Sequence, residues 1–240
     1  KKRGLRFAKE NLFLRFSPLG GGGKLSEHKP FDKFVAFTLA EVLITLGIIG
    51  VVAALTIPSL ISRYRGKVAV SRLQKFYSTM QQALTKSELD NGQMSDWTYA
   101  TLYSQEENTT FFETYLKKYL SVLKYENGYY VNIPIQGVAV YLSDGTAFVL
   151  DEKWIAFFPD AKKMEDSGRK AINGKDAFVF NLDSDKKIVP FGIGPTRAYL
   201  LTSTSNQSCN MNVPNNVRWG CADLIMSDGW KIADDYPIKF

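Results

Sequence analysis

Histidine is almost absent from this 240-residue chain, and cysteine is scarce. The single histidine, His28, precedes the first long apolar run, and the two cysteines, Cys209 and Cys221, lie near the other end. Residues after His28 therefore offer no Ser-His-Asp or Cys-His arrangement and no histidine-based metal centre, which removes most hydrolase templates. No pair of acids stands at a spacing that singles it out for glycoside chemistry. Gly20 to Gly23 precede Lys24, but the spacing of a phosphate loop and its Ser or Thr after the Lys are missing, so this is a flexible linker. We expect no catalytic role and no resident cofactor.

An excess of charge is also missing from most of the chain. The formal net charge is +6, and residues 1–36 account for all of it: nine bases, among them Lys1, Lys2, Arg3 and Lys33, against Glu10, Glu27 and Asp32. The remainder is formally neutral. A pI near 9.1 thus gives no basic stripe for nucleic acid, and none is expected as a partner. Because the sequence opens on Lys1 rather than Met, it is expected to be a fragment or a processed form.

What the chain does have is an apolar run from Phe37 to Ile57, 21 residues interrupted by one charge, Glu41. As a helix it reaches about 31 Å, which matches a hydrocarbon core of about 30 Å. The run exceeds the roughly 7 to 15 apolar residues of a cleaved secretory signal and continues into a helical pattern. The basic leader before it places residues 1–36 in the cytoplasm and the bulk of the chain outside, although Arg63, Arg65 and Lys67 on the far side weaken that asymmetry. A carboxylate within such a run is costly and calls for a compensating partner.

Ala36-Phe37-Thr38-Leu39-Ala40-Glu41, followed by an apolar helix with Gly50 and Pro58, resembles the amino terminus of type IV pilins and type II secretion pseudopilins. The resemblance covers Ala36 to about Leu89. It implies that a prepilin peptidase cuts between Ala36 and Phe37 and methylates the new amine of Phe37. It also implies that Glu41 pairs with the amine of a neighbouring subunit during assembly. The family usually carries Gly before the cut, where this chain has Ala36. An ordinary signal anchor, with Glu41 reaching back to the interface, is the plainer reading. Gly50 and Ala54 are spaced to let a like helix approach, and Pro58 removes one backbone donor, so a kink or local unwinding between Gly50 and Pro58 is expected.

Beyond Pro58, apolar residues at Ile61, Tyr64, Val68, Ala69, Leu73, Phe76, Met80, Ala83 and Leu84 fall three and four apart and mark one helical face, ended by Asp90-Asn91-Gly92. Phe111 to Leu120 reads as a second, shorter helix. From Tyr129 the period becomes two: Val138, Val140 and Leu142, then Asp144-Gly145, then Phe148 and Leu150, a hairpin. Residues 176–182 make a third strand. The fold class expected is α+β: a long N-terminal helix, transmembrane then amphipathic, packed on a small antiparallel sheet of three or four strands around one core. The expected divisions are a leader at 1–36, a membrane and assembly helix at 37–58, an amphipathic helix at 59–90 and a globular head at 91–240.

With the head outside the cytoplasm, a Cys209–Cys221 disulfide is the natural use of both thiols, with free buried thiols as the alternative. It would resemble the disulfide-closed C-terminal loop of pilins. Residues 221–226 read as a short helix, and Trp230, Ile232 and Tyr236 as anchors of the tail. Asn181-x-Asp183-x-Asp185 alternates like a calcium loop, and some pseudopilins bind calcium in the head. Lys186 stands where such a loop needs Gly, however, and no closing Glu follows, so a solvated turn is the expected use of Asp183 and Asp185. The whole reading is a single-pass inner-membrane subunit that polymerises into a pseudopilus or pilus. Its expected partners are prepilin peptidase, identical or related pilin subunits, the inner-membrane assembly machinery and the lipid bilayer. The alternative is a non-polymerising anchored binding protein outside the cytoplasm.

Overall fold

The computed structural model describes residues 38–130, 135–165, 171–191 and 196–240. The leader, His28, Ala36 and Phe37 lie outside the described residues. The chain divides into two compact units, Lys1–Gly47 and Ile48–Phe240. The described part of the first is the start of helix α1, which runs Leu39–Asn91 without interruption. Gly92 ends it, at φ +82°, with its N–H donating to the Glu88 carbonyl. A glycine tolerates that left-handed position at no steric cost.

Pro58 lies inside α1, and the local unwinding expected there is absent. Proline removes a single ladder bond. Around it, Thr56 Oγ1 donates to the Val52 carbonyl and Ser59 Oγ to that of Thr56, at 2.9 Å each, so both hydroxyls bond back onto the helix backbone.

Helix α2 is Gln105–Tyr115, followed by a 3-10 turn at Lys117–Tyr119. It starts six residues earlier than the apolar pattern suggests because Ser104 caps it: the Ser104 side chain accepts from Glu107 N, while Glu107 accepts from Thr101 N at 2.6 Å. The capping residue, not the first aromatic, sets the start.

Six strands follow in chain order: β1 (Val122–Tyr130), β2 (Ile135–Leu142), β3 (Ala147–Asp151), β4 (Trp154–Phe158), then helix α3 (Ala161–Glu165), β5 (Phe178–Asp183) and β6 (Lys187–Pro190). Each pairs antiparallel with the next, so the sheet is a meander of order β1-β2-β3-β4-β5-β6. It is larger than the three or four strands expected. The expected β2–β3 hairpin forms, but its loop is the three residues 143–145, closed by Leu142 N donating to the Thr146 carbonyl, with Gly145 at φ +81°; Val138 therefore lies opposite Leu150 and Val140 opposite Phe148.

The sheet is buried on both faces, which gives two apolar clusters instead of one. On one face Val138, Val140, Phe148, Phe157, Phe178 and Phe180 pack against α1 and α2. On the other, Ala139, Val149, Ala156, Phe158 and Val179 pack with Met164 of α3 and with Trp219. Phe76 of α1 stacks on Phe157 at 4.1 Å between ring centroids and touches Phe148 and Phe180. Leu73, Met80 and Leu84 beside it are fully buried, worth about 1.5–3 kcal/mol each. Burial on α1 begins at Gly66 rather than at Ile61: Ile61 and Tyr64 stay 44% and 67% exposed. The cause is where the tail arrives, since Ile232 and Phe240 close on α1 at Gly66.

Polar ties fix α1 across the sheet. Lys75 pairs with Asp144 in the β2–β3 turn at 2.7 Å, and Gln81 Nε2 donates to the Ile188 carbonyl on β6. Glu88 pairs with Lys187 at 2.7 Å. A second polar centre lies within the sheet. The fully buried Asp151 carboxylate accepts from the backbone N–H of Tyr103 and Gln136 and from Asn108 Nδ2, at 2.8–3.0 Å. Those three donors replace the water that burial removes and join the loop before α2 to β3.

Candidate functional site

Two regions carry the residues that the sequence singles out. The first is the start of α1. Thr38 and Glu41 form a reciprocal cap: Thr38 N and Thr38 Oγ1 donate to Glu41 Oε2 at 2.8 and 2.9 Å, and Glu41 N donates to Thr38 Oγ1 at 3.2 Å. Glu41 is thus engaged within its own first turn: its carboxylate takes the Thr38 N–H and Thr38 Oγ1 takes the Glu41 N–H, two backbone donors that the helix itself leaves unpaired. Thr38 is a residue that the sequence reading passed over as a partner of Glu41. The Thr-x-x-Glu spacing was the signal for it. The cap uses only atoms from Thr38 onward, so a cut between Ala36 and Phe37 leaves it whole.

The apolar segment that follows is uncovered. No side chain of its most apolar window is buried, and α1 is long and apolar enough to cross a membrane. Leu43, Ile49 and Leu55 are all more than half exposed. At Gly50 no atom beyond its own helix lies within 4 Å of the position a Cβ would take. That position is open to a neighbouring helix.

The second region is the C-terminal part. Cys209 and Cys221 form a disulfide, and among the described residues no cysteine is free. Helix α4 (Arg197–Thr202) precedes it and helix α5 (Cys221–Ser227) begins on its second cysteine. Gly174, at φ +89°, fits against the bridge: a Cβ there would lie 2.5 Å from Cys221 Sγ. Tyr236, buried, donates to the Gly174 carbonyl at 2.5 Å, and burial pushes its hydroxyl pKa well up. Trp230 packs on Tyr77 at 5.4 Å. Arg197 holds Asp228 and Asp235 at 2.5 and 2.6 Å, and those hydrogen bonds raise its pKa above the usual guanidinium range. The disulfide closes a loop of the C-terminal region, and the tail beyond it is fastened by a buried phenol, an aromatic contact and the arginine.

Asp223, on α5, has its pKa pushed up to about 6 by desolvation, with no cation beside it among the described residues. Asp183 ends β5, and its Oδ1 accepts from Asp185 N and Lys186 N at 3.0 and 2.7 Å, which shapes the β5–β6 turn. Asp185 is exposed. Among the described residues no three His, Cys, Asp or Glu side chains gather to hold a metal ion.

A family model described as a family of unknown function (DUF6613) matches residues 59–240. Comparison with curated proteins and with solved structures gave no match. The matched stretch begins just after Pro58, so it takes in the amphipathic half of α1 and the sheet and leaves the apolar half outside.

Proposed function

The chain belongs to the DUF6613 family of unknown function, and for it we propose the role of a pilin-like structural subunit. It is cut between Ala36 and Phe37 by a prepilin peptidase, methylated at Phe37, anchored by 37–58, and polymerised into a type II secretion pseudopilus or a type IV pilus. Its work is assembly, with the head coating the fibre. The observation that carries this reading is the combination of Ala36-Phe37-Thr38-Leu39-Ala40-Glu41 with an uncovered apolar helix whose other half is packed into a disulfide-closed head. In the filament Glu41 takes the amine of an incoming subunit, Gly50 admits its helix, and Pro58 supplies the weak point in the ladder. Calcium is not required by this role.

One observation favours the second reading, an anchored binding protein that never polymerises. The Thr38 cap already gives Glu41 a local partner, so the carboxylate has a structural use without any neighbour. Glu41→Gln separates the two, because Gln at the third helical position still closes a capping box but carries no charge. If Glu41 neutralises an amine, Glu41→Gln is lost from filaments as fully as Glu41→Ala. Equal filament incorporation of Glu41→Gln and wild type would leave Glu41 as a cap alone and sink the assembly role given to it.

A further inference from the structure

The bases that follow the apolar segment are not used by assembly, and they lie on the side of the span where bases are ordinarily fewer. Arg63, Arg65 and Lys67 come within ten residues of Ile57, and among the described residues none of the three has an ion pair. We propose that these side chains, with the grooves beside them at the foot of the head, form a collar that binds the anionic phospholipid headgroups of the leaflet from which α1 emerges. The proposal rests on α1 crossing a membrane.

Two grooves flank α1 at this level and share Phe240 as a wall. The one towards the tail is lined by Arg63, Lys67, Lys231 and Lys239, with Asp234 as the only acid in its lining. The one towards α3 is lined by Arg65, Arg72, Lys163 and Lys175, with Asp160 and Asp176. In that second groove Lys163 lies 3.9 Å from Asp176, and Arg72 donates to the Pro159 carbonyl at 2.6 Å, so part of its charge is already engaged. The first groove is the stronger half. Trp230 and Ile232 add an aromatic and an aliphatic wall to it, a mixture suited to the boundary between headgroups and acyl chains.

Depth decides the occupant. Arg63 follows Ile57 by six residues, about 9 Å along a helix, and the polar layer on each side of a bilayer adds about 5–7 Å beyond the hydrocarbon. A long side chain from Arg63 or Arg65 therefore ends among the phosphates. The bases come from separate parts of the chain, α1, α3, the loop before β5 and the tail; Arg63, Arg65 and Lys67 lie closest to the span, and Arg72 lies about 13 Å beyond Arg63 along the helix. The surface common to all of them is the leaflet, not a localised protein partner.

The test uses the full chain in lipid nanodiscs of phosphatidylcholine alone or mixed with phosphatidylglycerol, with a water-soluble amine-acylating reagent and site-by-site mass spectrometry. Lys231, Lys239 and Lys163 are expected to react about three- to fivefold more slowly with the anionic lipid, while Lys86 and Lys186, away from the collar, keep their rates. High salt should erase the difference. An Arg63→Gln, Arg65→Gln, Lys67→Gln variant, altered only on exposed helix surface, should lose most of the protection at Lys231 and Lys239. Equal rates in both lipids, with the chain held in the discs, overturn the collar. Protection by inorganic phosphate in neutral discs, as strong as by phosphatidylglycerol, reassigns the grooves to a soluble anion. Protection by an acidic polypeptide, with none from phosphatidylglycerol, reassigns them to a protein partner. A chain that alkaline carbonate strips from the discs overturns the membrane span instead.

Discussion

The two halves of α1 are built from much the same apolar side chains and meet opposite fates. Between Leu39 and Leu60 nearly every side chain is exposed, whereas from Gly66 to Ser87 one stripe is buried against the sheet. The difference lies in the other face of the helix. In the second half Gln74, Lys75, Gln82 and Lys86 occupy it and stay in solvent, so a sheet can cover one side only. In the first half there is no polar face, and a surface apolar all round is covered by lipid or by like helices. One helix thus carries an uncovered apolar segment at one end and a stripe packed on the sheet at the other.

The largest test of that contrast is truncation in the two halves. Phe76→Ala removes the ring stacked on Phe157 and should cost the head about 3–5 kcal/mol in denaturant unfolding of the full chain in detergent. Leu46→Ala, on the uncovered segment, should change the same unfolding by less than about 0.5 kcal/mol. Similar losses from both would break the comparison.

Next in size is the disulfide. Its cysteines are 12 residues apart, and reduction should lower head stability by about 3 kcal/mol. Thiol counting should find none before reduction and two after. Two before reduction would contradict the bridge.

Asp223 on α5 and Glu88 on the covered half of α1 sharpen the comparison from within the head, with opposite signs in acid. The Asp223 carboxyl, pushed up from 3.8 to about 6 by burial, keeps its proton to higher pH folded than unfolded. Stability therefore falls as pH rises from about 4 through about 6. Asp223→Asn should flatten that slope and stabilise the head at neutral pH by about 1–2 kcal/mol, allowing for its partial exposure. Glu88 is held below the usual carboxylate range, first by its hydrogen bond to Lys187. Its contribution is present above the ordinary Glu pKa and is lost as pH falls through the depressed value. Glu88→Gln should cost less than about 1 kcal/mol at neutral pH and nothing at the acid end. Unfolding midpoints across pH for both variants read the two signs directly.

The stripe from Leu73 to Leu84 was legible because the other face of α1 is wet. The Val138-Val140-Leu142 alternation was legible although both faces of β2 are buried, because a turn signal follows it directly. Strand β4, Trp154-Ile155-Ala156-Phe157-Phe158, has no period to read, since four of its five residues are buried and both sheet faces are covered. Strand β1 carries Lys124, Glu126, Asn127 and Gly128, and it forms by pairing with β2 rather than by its own preference. The buried Asp151 was invisible because two of its three donors are backbone N–H groups from distant segments. The Thr38-x-x-Glu41 and Ser104-x-x-Glu107 caps were written in the sequence. They were hidden by reading Glu41 for its charge alone and α2 for its aromatics alone. The cysteine pair was readable because only one pairing existed.

The most direct test of the pilin-like role is the amino terminus itself. The full chain, co-expressed with an active prepilin peptidase and extracted from membranes, is analysed by intact mass and terminal sequencing. The account predicts a product that begins at Phe37 and carries one added methyl group. An uncut chain, beside a control substrate that the same peptidase has cleaved, would contradict it and leave the anchored binding protein as the better description.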